Sequence, residues 1–165
     1  MKTAPTAPIA AALLALFAVQ EPTHAADDVA MLRLATCQDS WLEWKNDEPR
    51  MARFASLFET QFVRSEQGDA FAPRAPTSVL GYAVAQVYPQ SVGMGLGYSV
   101  LVNAPFAQVR QSFEKQLGKP LKCSTSEGTR ACELPLAEKK TAMLLASDNP
   151  NSKATLLGCY YYYEK

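Results

Sequence analysis

Histidine is almost missing from this chain of 165 residues, because His24 is the only one. An imidazole is the general base of Ser-His-Asp and Cys-His catalytic sites and a frequent zinc ligand. His24 lies in a segment that we expect to be removed, which would leave a mature protein without any histidine. The sequence therefore excludes these nucleophilic hydrolases, and we predict no metal, no cofactor and no enzymatic activity.

The chain also lacks an excess of either charge, with 16 Lys and Arg residues against 16 Asp and Glu residues. Binding to phosphate backbones or anionic membrane surfaces relies on a basic excess, so we expect no nucleic-acid or lipid-surface partner. A content of 48% hydrophobic and 19% charged residues is typical of a globular domain and not of a disordered segment.

Long hydrophobic runs are missing as well, since the apolar run over residues 9–19 is too short to span a membrane. Met1-Lys2 precedes it with a positive charge, and Thr23-His24-Ala25 follows it with small residues that suit a signal peptidase. These features predict a secretory signal over 1–25, cleaved before Ala26, and a single domain over 26–165. We expect a periplasmic or secreted protein without a membrane anchor.

Four cysteines remain after this cleavage, and an even number in an exported chain indicates disulfides. Cys123 and Cys132 flank a polar stretch that looks like a hairpin tip, so we expect them to pair, which leaves Cys37 for Cys159. A four-thiolate metal site is the alternative, but no C-x-x-C spacing is present. Leu34-Ala35-Thr36-Cys37 resembles a lipoprotein cleavage box, although charged residues separate it from the apolar run.

Hydrophobic spacing predicts two main helices. Ser40 and Glu43 fit a capping box before a short helical turn, and Asp47 with Pro49 then starts the first main helix. Its apolar positions recur at helical spacing: Met51, Phe54, Leu57, Phe58 and Phe62. The second main helix starts after Asn103 and ends at Gly118, with a matching apolar face: Phe106, Val109, Phe113 and Leu117.

Alternating segments between and after these helices predict strands. We expect a surface linker over 65–78 and a turn at Pro89-Gln90-Ser91, and we place strands at 79–88, 93–102, 121–124, 130–134, 141–146 and 154–163. Short connections favour antiparallel neighbours. The expected fold class is α+β: an antiparallel sheet of about five strands, two main helices packed on one face, and two disulfides.

Aromatic residues supply the candidate binding site, chiefly the run Tyr160, Tyr161, Tyr162 and Tyr163. Because side chains alternate along a strand, one pair of these tyrosines can face the core while the other pair faces a partner. A plain sheet-forming role is the alternative. Trp41 and Trp44 share a helix face, where they either pack in the core or form an aromatic platform for a partner.

Other motifs carry less weight. Gly93-Met94-Gly95-Leu96-Gly97 lacks the strand–turn–helix context of a phosphate loop, so we expect its glycines either to let bulky neighbours pack flat or to mark a bulge. Ser112 and Lys115 match a Ser-x-x-Lys pattern by chance, without its companion motifs. The carboxylates Glu43, Asp47, Glu48 and Glu59 leave open a glycan-acting enzyme.

The class that fits best is a small exported binding protein whose partner is another exported or envelope protein. Its most concrete form is a periplasmic inhibitor or immunity protein against a cell-envelope hydrolase. The first alternative is a periplasmic carrier of an apolar ligand, with Phe54, Phe58 and Phe113 lining its site. The second is a histidine-free, carboxylate-dependent enzyme that acts on glycans. The sequence leaves the oligomeric state open.

Overall fold

A computed structural model describes residues 28–44, 46–66, 68–92 and 95–163, with the backbone alone for Asp28, Val29, Trp44 and Val92. The expected signal segment over 1–25 lies outside these residues. The described helices are α1 (Asp28–Ala35), α2 (Trp41–Trp44), α3 (Glu48–Gln61) and α4 (Phe106–Leu117). The described strands are β1 (Phe62–Arg64), β2 (Phe71–Pro73), β3 (Ser78–Val79), β4 (Tyr82–Val92), β5 (Gly95–Asn103), β6 (Lys122–Ser126), β7 (Thr129–Ala137), β8 (Lys140–Ser147) and β9 (Ala154–Tyr162).

These strands form one antiparallel sheet in the order β1-β2-β4-β5-β9-β8-β7-β6, with β3 paired to β4 off this path. The last strand, β9, lies in the middle of the sheet, between β5 and β8. Helix α4 connects β5 to the distant edge strand β6, and three hairpin-linked strands then lead the chain back to the centre. The mostly antiparallel α+β architecture is confirmed, but the helices are small and the described sheet has nine strands, not about five.

The missed strands are short, which explains the error in their number. β1, β2 and β3 contain only two or three residues each, too few to show an alternating pattern. β2 lies within the segment predicted to be a surface linker, and β3 begins at its last residue. The predicted turn at Pro89 was also wrong, since β4 continues through Pro89 to Val92. β2 pairs with β4 only at Val87, so Pro89 lies where β4 is an edge, and proline is tolerated there.

Both predicted main helices are present, but Phe62, expected on the apolar face of the first, is the first residue of β1 because α3 ends at Gln61. The Asp47 side chain accepts a hydrogen bond from the Arg50 backbone N–H at 3.0 Å, which caps α3 as expected. Gly118 follows α4 with a φ of 69°, the left-handed conformation that ends a helix. Val109 and Phe113 on α4 are fully buried.

The hydrophobic core lies between the helices and one face of the sheet. Val100, Leu144 and Leu157 form a row across β5, β9 and β8, and each is completely buried. Met31 and Leu34 on α1 belong to the same cluster, and α1 packs against both β5 and β9. We call this the helix side of the sheet.

Both predicted disulfides are present, Cys37–Cys159 and Cys123–Cys132. Cys123 and Cys132 lie directly opposite each other in the β6–β7 hairpin, as its predicted polar tip implied. Cys37 follows α1, and its bond to Cys159 ties the helix layer to β9. Since the sulfur of Cys37 is in a disulfide, this structure gives the lipoprotein alternative no support.

The two disulfides should differ in their effect on stability. In the chain-entropy account, a bridge that closes 122 residues stabilises by about 5 kcal/mol and one that closes 9 residues by about 2.5 kcal/mol. We therefore expect the double variant Cys37→Ala/Cys159→Ala to lose about twice as much unfolding free energy as Cys123→Ala/Cys132→Ala. Urea unfolding of both variants measures this difference. Equal losses would contradict the larger stabilising effect that we assign to Cys37–Cys159.

Candidate functional site

The tyrosine run divides between the two faces of β9. Tyr161 lies on the helix side and is fully buried, whereas Tyr160 and Tyr162 project from the opposite face. Tyr163 follows the strand and is 40% exposed. A partner can therefore reach Tyr162 and Tyr163, and the rim of Tyr160, but Tyr161 is unavailable to it in this structure.

Tyr161 has a structural role. Its hydroxyl lies 2.8 Å from the carbonyl oxygens of both Leu34 and Asp39, so it shares its one proton between the two ends of the loop that joins α1 to α2. Two other side chains hold the same loop. Lys140 Nζ donates to the Cys37 carbonyl oxygen at 3.1 Å, and Gln116 Nε2 donates to that of Thr36 at 3.0 Å.

Trp41 also belongs to the helix side. Its ring centroid lies 5.3 Å from that of Tyr98 and 6.3 Å from that of Phe54, within the cluster that joins α2 and α3 to the sheet. This arrangement favours core packing over the platform interpretation for Trp41. The side chain of Trp44 lies outside the described residues, so its place in the binding site stays a prediction.

Tyr160 lies flat on the sheet because its cross-strand neighbour is a glycine. A Cβ atom on Gly97 would come within 2.6 Å of the Tyr160 ring, so any larger residue there would displace the ring. The expectation that glycine lets a bulky neighbour pack closely therefore holds at Gly97, whereas a Cβ atom on Gly95 would meet the Tyr161 backbone instead. The ring covers Gly97, and Tyr160 itself is only 8% exposed.

The face of the sheet opposite the helices is the most distinctive surface of the protein. By register it presents these residues of β4, β5, β9 and β8: Gln86, Tyr88, Gln90, Gly95, Gly97, Ser99, Leu101, Asn103, Ala154, Leu156, Gly158, Tyr160, Tyr162, Thr141, Met143, Leu145 and Ser147. We call this set the open face. These four strands contribute no Asp, Glu, Lys or Arg to it, whereas the same side of the sheet continues with Glu133 on β7 and Lys122 on β6. None of its members belongs to the core cluster of the described residues.

Apolar side chains of the open face are only half-buried, including Leu101, Met143, Leu145 and Leu156. In β8 this exposure is unexpected from the sequence, because residues 142–146 are apolar on both sides of the strand. Such continuous apolar runs are typical of strands that are covered on both faces. These half-buried residues were not among the predicted site residues, although the apolar run in β8 was a signal that could have identified them.

A polar group lies at the centre of the open face. Ser99 is 1% exposed, and in the described part of the chain its Oγ has no hydrogen-bond partner. By register Ser99 is flanked by Tyr88 on β4 and by Gly158 on β9. An unpaired buried hydroxyl costs about 1–3 kcal/mol, so this position is not optimised for stability alone.

The geometry gives little support to the two alternative sites, the apolar-ligand site and the carboxylate site of a glycan-acting enzyme. Between α1 and α3 the cavity beside Phe54 and Phe58 measures about 10 Å³, room for about one water molecule, so these rings fill the space that an apolar ligand would need. Phe113 is fully buried in the core. The four carboxylates proposed for a glycan-acting enzyme are all exposed on the helix layer, and Asp47 is used as a cap.

The residues that the structure describes contain no group of three or more His, Cys, Asp or Glu side chains that could hold a metal ion. None of their helices is long and apolar enough for a membrane crossing. Comparisons with protein-family models, with curated proteins and with solved structures found no match.

The buried tyrosines Tyr98 and Tyr161 should make the free energy of unfolding fall as the pH becomes alkaline. Burial, followed by the nearby charges of Asp39 and Glu43, raises the pKa of Tyr161 above its ordinary value, and burial also raises that of Tyr98. Above about pH 10 the unfolded chain releases these protons while the folded chain keeps them, so stability is lost as the pH rises. We expect each tyrosine to contribute a slope of up to about 1.4 kcal/mol per pH unit.

Urea unfolding between about pH 9 and pH 11 measures this slope. Tyr161→Phe should reduce the slope and also lower stability at neutral pH, because the carbonyl oxygens of Leu34 and Asp39 lose their donor. Tyr163→Phe, at an exposed position, is the control and should leave both unchanged. If the wild type, Tyr161→Phe and Tyr163→Phe all show the same slope, Tyr161 is not a source of the pH dependence.

Proposed function

We propose that this protein is a small exported binding protein whose open face docks onto another exported or envelope protein. In its most concrete form it is a periplasmic inhibitor or immunity protein that acts on a cell-envelope hydrolase. The observation that carries the proposal is the exposure of β8 and β9 on a side where their sequences are as apolar as in doubly covered strands. The natural completion of such a face is a second layer supplied by a partner.

The composition of the open face supports a protein partner. Interface centres are depleted in charged residues and enriched in tyrosine and methionine, and the open face has three tyrosines, a methionine and no charge. Tyrosine gives a large contact area while only two torsions become fixed. Its polar groups include Gln86, whose side-chain oxygen accepts a hydrogen bond from the Tyr88 hydroxyl, which holds both side chains in place.

Rigidity and compartment support the same proposal. The two disulfides fit a protein that works in an oxidising compartment, as the expected signal over 1–25 would require. Cys159 lies in β9 itself, next to Tyr160, so the disulfide helps to hold the central strand of the binding surface. A surface that is ordered before binding loses less conformational entropy when it docks.

A charge placed on the open face should weaken binding. The test assays peptidoglycan hydrolases of three types, a lysozyme-type glycosidase, an amidase and an endopeptidase, with and without the purified protein. We expect inhibition of at least one of them, and we expect Leu145→Lys to weaken it about tenfold or more, because a charge must then be buried without a partner. Ala55→Lys adds the same single charge at an exposed position of α3 and is the matched control.

Native mass spectrometry of the protein purified gently from its own compartment complements this assay, because it identifies a retained partner directly. Absence of inhibition by the wild-type protein, together with absence of a protein partner, would remove the support for the proposal. A retained lipid would favour the carrier alternative instead. Equal effects of Leu145→Lys and Ala55→Lys would show that the open face is not the binding surface.

A further inference from the structure

The β6 edge of the sheet exposes backbone groups that its hairpin does not use. β6 is the last strand on this side of the sheet and pairs only with β7. All five of its residues, Lys122–Ser126, are exposed. The opposite edge strand, β1, has only three residues and follows directly from α3.

The register shows which backbone groups of β6 point outward. In antiparallel pairs, opposed residues that exchange hydrogen bonds have Cα atoms about 5.5 Å apart, and those that do not are about 4.5 Å apart. The Cα atoms of Cys123 and Cys132 are 3.9 Å apart, which identifies a pair that exchanges none. The N–H and C=O groups of Cys123, and by alternation those of Thr125, therefore point away from β7.

The turn of the hairpin gives the same assignment independently. Glu127 and Gly128 both have positive φ values, 48° and 76°, as expected for a two-residue type I′ turn. The residues that flank such a turn exchange hydrogen bonds, and these are Ser126 and Thr129. Counting back from Ser126, the outward positions are again Thr125 and Cys123.

The next outward position along the chain is already occupied. The Leu121 N–H donates to Glu114 Oε1 at 2.9 Å, and its carbonyl oxygen accepts from Arg110 Nη2 at 3.3 Å, both from α4. No hydrogen bond from any described residue reaches the outward groups of Cys123 or Thr125. β6 also lacks proline and a bulge, two devices that normally blunt an exposed edge.

An open groove of about 410 Å³ runs beside this edge, and its lining is Lys122, Cys123, Ser124, Ala131, Glu133 and Pro135. Lys122 lies directly opposite Glu133, so the groove offers one charge of each sign. A strand added to β6 would direct every second side chain toward the face that carries this groove.

We propose that the β6 edge binds an extended polypeptide segment by strand addition, with alternate side chains seated beside Lys122 and Glu133. An extended polypeptide fits because its main chain presents N–H and C=O groups at the spacing of those on Cys123 and Thr125. In this mode the main-chain bonds supply affinity and the groove supplies selectivity. The site goes beyond the proposed function, because it uses backbone groups of the sheet edge, although its groove adjoins the open face on the same side of the sheet.

The test uses synthetic peptides selected from a phage-displayed library of random peptides about ten residues long, the length of a long strand. Thr125→Pro removes the outward N–H and leaves the hairpin bonds of Ser124 and Ser126 in place, whereas Thr125→Ala keeps that N–H. We expect Thr125→Pro to weaken peptide binding about tenfold or more, because it removes a main-chain bond and places a ring at the edge. Thr125→Ala should bind like the wild type.

Amide hydrogen exchange on the wild-type protein keeps the test valid even if Thr125→Pro fails to fold. We expect the amides of Cys123 and Thr125 to exchange fast in the free protein and at least about tenfold more slowly with peptide bound. The proposal is overturned if no peptide is enriched, or if the bound peptide protects other amides instead. It is equally overturned if sedimentation shows self-association that protects these two amides without peptide, because a second copy is then the occupant.

Discussion

The attachment of the loop after α1 to strand β9 is the constraint on which the rest of the structure depends. The Cys37–Cys159 disulfide joins positions 122 residues apart, and the Tyr161 hydroxyl, the Lys140 ammonium group and the Gln116 amide bind carbonyl oxygens of the same short loop. Cys37 itself has a φ of 61°, an uncommon conformation for a residue with a side chain, which persists only where its surroundings hold it. These contacts keep α1 on the central strands and so keep the core closed.

Strand alternation transmits this constraint from the helix side to the open face. Cys159 and Tyr161 are fixed among core residues, so Tyr160 and Tyr162, as alternating neighbours in the same strand, must point to the opposite side. The disulfide and the buried hydroxyl of Tyr161 thus hold side chains that they do not contact. This arrangement explains how an uncharged, half-exposed surface can stay ordered without a layer of its own: its order comes from the other face of β9.

Interactions between residues close in sequence allowed much of this fold to be predicted. The elements that were missed depend on residues distant in sequence. Asp47 with Pro49, Gly118, and the polar hairpin between Cys123 and Cys132 each act through neighbours in sequence, so α3, α4 and one disulfide could be read directly, and elimination supplied the other. The strands β1 to β3 depend on partners distant in sequence and are too short to show a period. Alternation shows which tyrosines share a face, but it does not show which face the helices cover. The assignment of Tyr161 to the helix side and of Tyr160 to the open face therefore required the structure.

The two proposed surfaces depend on the fold in different ways. The open face includes both β5 and β8, which are separated along the chain by α4 and the β6–β7 hairpin. They belong to one continuous surface because β9 lies between them and pairs with both. It can form only after long-range pairing is complete, and Cys37–Cys159 secures that pairing. The β6 edge belongs to a local hairpin that is closed by a tight turn and by its own disulfide. Since local pairs close with little loss of chain entropy, loosening of the first disulfide should disturb the open face while it leaves the edge intact.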